Sequence, residues 1–94
     1  MNNAIFNNIM ELVEKLKLEL SYLPLRGTDY KEVLQIYKPK SEKGNFVTIF
    51  FYKDENISCL FIKDRVESNA TQKLLEEIEN PSYLDLLLKF NYYL

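Results

Sequence analysis

A chain of 94 residues with 47% hydrophobic and 28% charged side chains has room for one core, is too apolar for a disordered tail, and is too interrupted by charge for a membrane protein. Twelve Lys and Arg against fourteen Asp and Glu leave a net charge of -2, which gives no long-range pull toward phosphate or an anionic membrane surface. With no histidine, one cysteine and two glycines, His-dependent acid–base pairs, Cys/His zinc sites and glycine-rich phosphate loops are excluded.

The start, Met1 to Asn8, lacks a basic stretch followed by a long apolar run, and the longest apolar runs, such as Val47 to Tyr52, fall far short of the roughly 20 residues that span a bilayer. A lone cysteine closes no intrachain disulfide. The expected location is therefore a cytoplasm, with no membrane partner. From Asn3 to Leu20, Ile5, Phe6, Ile9, Met10, Leu12, Val13, Leu16 and Leu20 recur at helical spacing. The spacing predicts one amphipathic helix, capped by Asn2 or Asn3 and closed by Pro24 and Gly27.

Residues Thr28 to Lys38 read two ways. Asp29 and Glu32 imitate a capping box with Tyr30, Val33, Leu34 and Tyr37 on one helical face, yet Val33 to Tyr37 is equally a β-rich run ending at Pro39. The strand is preferred, because a polar turn, Ser41 to Asn45, leads directly into a clear strand from Phe46 to Tyr52, and sequential strands usually pair.

A three-residue loop, Asp54-Glu55-Asn56 with Asn56 left-handed, would connect this to a third strand, Ile57 to Ile62, and set Lys53 opposite Ile57. Alternation then places Val47, Ile49, Phe51, Ile57, Cys59 and Phe61 on one face and Phe46, Thr48, Phe50, Tyr52, Ser58, Leu60 and Ile62 on the other. Asn69 and Gln72 suggest a cap for a helix through about Glu79 with Leu74, Leu75 and Ile78 as its stripe. Asn80-Pro81 restarts the chain into a last helix, roughly Ser82 to Tyr92, apolar around most of its circumference and so buried on more than one side or used for binding. The expected architecture is a single α+β domain: helix, three-stranded antiparallel β-meander, two C-terminal helices.

Both hairpin faces are apolar, whereas a sheet backed on one side alternates apolar with polar residues. Either the first helix covers one face and the C-terminal helix pair the other, or part of the aromatic surface (Phe46, Phe50, Tyr52) or of the last helix is an interface with a second copy or another protein.

Chemistry is sparse. Cys59 lies mid-strand on the core face with no histidine to activate it, so a buried structural thiol is expected. Asp54-Glu55 and Glu76-Glu77 with Glu79 are carboxylate groupings expected at a hairpin tip and on a solvated helix face, and Asp54-Glu55-Asn56 lacks the length and glycine of an EF-hand loop. No catalytic residue, metal or cofactor is expected, and an enzyme or a small-ligand protein stacking a base on its aromatics is the competing class. Lys43-Gly44-Asn45-Phe46-Val47 resembles in part the RNP1 strand of RNA recognition motifs, but Asn45 stands where an aromatic belongs and the βαββαβ order is missing, so direct nucleic-acid binding is not expected.

Lys, Asn, Ile, Phe and Tyr make up 39 of the 94 residues, and all use AT-rich codons. In element order over residues 3 to 92, in size and in this composition, the chain resembles the small phage and mobile-element proteins that block host defences, anti-CRISPR proteins among them. The resemblance implies a non-enzymatic inhibitor of a larger protein, such as a host defence nuclease. It points to Asp54, Glu55, Asp64 and Glu67 near the sheet ends, or Glu76, Glu77 and Glu79, for charged contacts beside the aromatics. An immunity protein or a secretion chaperone is the alternative within the binding modules.

Overall fold

A computed structural model describes residues 3–64 and 72–94. In chain order the elements are α1 (Asn3–Lys15), β1 (Glu19–Tyr22), β2 (Tyr30–Tyr37), β3 (Asn45–Tyr52), β4 (Ile57–Lys63), β5 (Lys73–Glu79) and α2 (Tyr83–Tyr93). The strands form one antiparallel sheet in the order β1-β2-β3-β4-β5. The domain is α+β as expected, but with five strands and one C-terminal helix in place of three strands and two.

The first correction falls at the end of α1. The apolar period continues to Leu20, but the helix stops at Lys15 because Lys17 turns left-handed at φ 55. Leu18 N–H donates to Val13 O at 2.8 Å and Lys17 N–H to Glu14 O at 3.2 Å, a Schellman closure that satisfies the last carbonyls. Leu18 then enters the core, and Leu20 pairs with Ile36 on the same side of the sheet.

The second correction is the β3–β4 loop. Tyr52 N–H donates to Asn56 O at 2.9 Å and Phe51 pairs with Ile57, so the loop is Lys53-Asp54-Glu55, and Glu55 rather than Asn56 takes the left-handed position, φ 74. The register moves by two residues relative to the expected pairing. An even shift leaves each residue on its face, which is why the two sets of side chains stand as read.

The third correction is β5. Leu74, Leu75 and Ile78 belong to an edge strand, with Cys59 opposite Ile78 and Phe61 opposite Glu76; Asn69, its proposed cap, lies outside the described residues. Helix-favouring Leu and Glu yield here to pairing with β4. A register shift beside Phe61 and Ile62 makes Leu75 the extra residue, so Leu75 packs toward the core while adjacent Glu76 also reaches α2.

One core joins α1, α2 and a single sheet face. It contains Ile9 and Leu12 from α1, Leu86, Phe90 and Leu94 from the α2 segment, and Val47, Ile49, Phe51, Ile57, Cys59 and Phe61 from the hairpin. Phe6 packs on Phe51 (ring centroids 5.6 Å) and Phe61 stacks on Tyr93 (4.7 Å). Both helices thus lie on the same face, which overturns the expectation that they cover opposite faces. Helix α2 is also not buried all round: Leu86 and Phe90 are inside, while Leu84, Leu88 and Tyr92 are exposed. Its start is fixed by a capping box, in which Ser82 Oγ accepts from Asp85 N–H at 3.1 Å and Asp85 Oδ2 accepts from Ser82 N–H at 3.0 Å.

Candidate binding surface

The other sheet face has no described helix on it. Its residues follow from the register: Glu19 and Ser21 on β1, Val33, Gln35 and Tyr37 on β2, Phe46, Thr48, Phe50 and Tyr52 on β3, Ser58, Leu60 and Ile62 on β4, and Leu74, Glu77 and Glu79 on β5. Val33 and Phe46 are buried yet stand outside the helix-covered core, Phe46 lying between Tyr37 and Ile62 in register. Phe50, Tyr52 and Tyr30 form an aromatic cluster, with centroids 5.3 Å apart for Tyr30–Phe50, 5.1 Å for Tyr30–Tyr52 and 6.4 Å for Phe50–Tyr52. Leu74 and Tyr37 are exposed toward the two edges.

Charge is graded along the strands. Lys38, Lys40, Lys43, Lys63 and Lys73 collect at the end carrying the β2–β3 turn, offset by Glu42 and Asp64. Asp29, Glu32, Asp54, Glu55, Glu79 and Asp85 collect at the opposite end, where the aromatic cluster sits, offset by Lys31 and Lys53. A domain of small net charge is therefore richer in cations at one end of its sheet and in anions at the other.

The structure brings some of the predicted contact residues together and separates others. Phe50, Tyr52, Asp54, Glu55 and Glu79 share the acidic end of the helix-free face, with Glu77 two residues further along β5. Phe46 and Asp64 lie at the lysine end, where Asp64 accepts from Gln72 Nε2 at 3.4 Å. Glu76, expected on a helix exterior, points to the helix side, where Oε1 accepts from Tyr93 Oη at 2.6 Å and Lys89 Nζ at 3.0 Å. Glu67 lies outside the described residues. Sequence reasoning missed Tyr30, whose value comes from the β2–β3 register, and Asn56 and Asn80, whose amides tie the loop to the end of β5 (Asn80 Nδ2 to Asn56 Oδ1, 3.1 Å). Ser58 was on the correct face by alternation but carried no other signal.

Electrostatic partners fix several charges. The Lys31 ammonium, 2.7 Å from Glu55, holds that carboxyl down at about 2. The Tyr93 hydroxyl, then Lys89, lower Glu76, and Glu76 in turn raises Tyr93 to about 12. Glu19 accepts from the Tyr37 hydroxyl and raises it. Burial pushes the Cys59 thiol up to about 12, in keeping with a structural cysteine. Among the described residues, no group of three or more His, Cys, Asp and Glu is placed to hold a metal ion, and no helix is long and apolar enough to cross a membrane.

Comparison with protein-family models, curated proteins and solved structures returns no match.

Proposed function

We propose that this chain is a small non-enzymatic protein-binding module that inhibits or neutralises a larger partner, and that it docks through the helix-free sheet face at its aromatic, acidic end. The observation that carries this reading is the segregation of the two faces. One core absorbs both helices, while Tyr30, Phe50, Tyr52, Leu60 and Ile62 stay only half-buried on the opposite side. Partly exposed apolar surface that includes Tyr and is rimmed by charge is the make-up of protein interfaces. Acidic groups around it suit a basic surface on the partner, such as a groove that otherwise receives nucleic acid. Occupying such a groove is one way in which a small inhibitor of the kind this chain resembles can block a host nuclease. The five-stranded sheet departs from the element order that suggested this group, so the reading now rests on size, composition and the open face.

Direct nucleic-acid binding is disfavoured by the same layout. Stacking platforms combine exposed aromatics with a basic groove. Here five of the lysines lie at the far end of the strands from the aromatic cluster, Lys31 beside it is paired with Glu55, and Phe46, the aromatic of the RNP1-like segment, is only 8% exposed.

The test is affinity capture from lysate of an AT-rich bacterium, comparing the natural chain with Phe50→Asp and with the charge reversal Glu77→Lys/Glu79→Lys. A stoichiometric protein lost in both folded variants, whose activity falls when the purified chain is added, supports the proposal. Capture of self-copies only, with a dimer in sedimentation, would replace it with a homo-oligomer seam.

A further inference from the structure

The helix-free face carries a cluster of rings at one end and a hollow at the other. The rings are Tyr30, Phe50 and Tyr52, with centroids 5.1 to 6.4 Å apart. The hollow, of about 380 Å³, is lined by residues that include Gln35, Tyr37, Lys38, Lys40 and Phe46. Both features lie on β2 and β3. Tyr30 pairs with Tyr52 and Tyr37 with Phe46, which separates the two by about 20 Å along β3.

Charge divides in the same way. Lys38 and Lys40 are exposed at the rim of the hollow, and neither has an ion-pair partner among the described residues. Asp64, also at the hollow, is held by Gln72 Nε2 at 3.4 Å. Asp29 and Asp54 are exposed beside the rings: Asp29 precedes Tyr30, and its carbonyl accepts from Lys53 N–H at 2.9 Å, which keeps it next to the 53–55 loop.

Rings with an acidic rim and a hollow with a basic rim match in shape and charge, yet within one chain they sit at opposite ends and cannot meet. A two-fold axis running across the strands near Ile49 brings them together in two copies. It reverses the strand direction, sets the rings of each copy into the hollow of the other, lays Phe50 over the small, buried Thr48, and places lysine end against acidic end twice. The other face-to-face axis, along the strands, sets lysines over lysines and carboxylates over carboxylates. Five strands about 4.8 Å apart and seven to eight residues long at the centre give a face of roughly 600 Å² per chain, so pairing buries about 1,200 Å² in total. That is the lower end of stable interfaces and fits a dimer that exchanges.

We infer that this face is self-complementary and pairs with a second copy of the chain about the axis across the strands, and that this dimer competes with the larger partner for the same surface. The pairing geometry stands on the face itself; the competition rests on the docking reading proposed above.

The test is sedimentation equilibrium of the full chain from micromolar to near-millimolar concentration, at low and high salt. A reversible monomer–dimer equilibrium that weakens with salt is expected. Lys38→Glu/Lys40→Glu should raise the dimer dissociation constant at least about tenfold, and Asp29→Lys/Asp54→Lys likewise, because each sets like charges together at both seams. An equimolar mixture of the two variants should recover the dimer of the natural chain, since each altered end then meets its opposite. A natural chain that stays monomeric throughout, variants that dimerise as it does, or a mixture no more associated than its components would overturn the pairing. The lysine variant changes only exposed side chains, so it decides the matter even where reversal at Asp54 disturbs its loop. A dimer without any captured partner would keep the pairing and remove the docking reading, and a captured partner beside a monomeric chain would do the reverse. Where both form, the partner complex should hold one copy of the chain; a complex holding the intact dimer would overturn the competition.

Discussion

The two faces of the central hairpin are both largely apolar and are covered differently. Val47, Ile49, Phe51, Ile57, Cys59 and Phe61 are all 4% exposed or less beneath α1 and α2, whereas on the other face only Phe46, Thr48 and Ser58 are buried and Phe50, Tyr52, Leu60 and Ile62 remain half-buried. Strand alternation explains the division, and helix placement explains the asymmetry: α1 and α2 bring one apolar stripe each and spend both on one side. Aromatics on a side that no described helix covers are the surface to which the proposed docking is assigned.

The comparison can be broken most severely by truncation. Phe61→Ala, which removes a ring packed against Phe90 and Tyr93, should cost about 3 to 5 kcal/mol. Phe50→Ala, on the other face, should cost about 1 to 2 kcal/mol, the lost burial of a partly exposed ring. Equal losses in calorimetric unfolding would mean that the second face is as fully packed as the first. A thiol sharpens the contrast further: native Cys59 should react with a thiol reagent only as fast as the protein opens, while Leu60→Cys in a Cys59→Ser background, one residue along and facing the other way, should react directly.

Acid titration separates the helix side from the acidic corner. Glu76 is lowered in the folded chain, first by Tyr93 and then by Lys89, so its contribution is present above the ordinary carboxyl value of 4.5 and is lost as pH falls through the lowered one. Glu76→Gln should therefore flatten the acid limb of a stability–pH curve below pH 4.5. Tyr93, raised to about 12, behaves oppositely: its contribution is complete below 10 and fades as pH climbs toward 12. The smallest effect expected is at the cap of α2, where Ser82→Ala should cost about 1 kcal/mol and leave binding by the helix-free face unchanged.

Much of the fold was legible because it is written in side-chain period and turn chemistry. The alternation from Phe46 to Ile62 assigned every hairpin residue to its correct face even with the loop misplaced, since the error was an even step. What was not legible depended on partners distant in sequence. Leu16 and Leu20 read as a helical continuation because the left-handed stop at Lys17 is made by a lysine, a residue without the freedom of glycine. Lys73 to Glu79 carries good helix formers at helical spacing, and only the free edge of β4 makes it a strand. The candidate surface was half legible for the same reason: Phe50, Tyr52, Asp54 and Ser58 come together through the hairpin, but Glu79 and Asn80 join them only once β5 is a strand.

The most direct test sets a half-buried apolar position on the open sheet against an exposed one on α2. Phe50→Asp alters the helix-free face and Leu88→Asp the outward side of α2, where Leu88 is 57% exposed. With both variants shown to unfold cooperatively, affinity capture is quantified for each beside the natural chain. The account predicts that Phe50→Asp loses the partner and Leu88→Asp retains it. Retention by Phe50→Asp with loss in Leu88→Asp would place the interface on the helix and contradict the assignment of function to the open sheet.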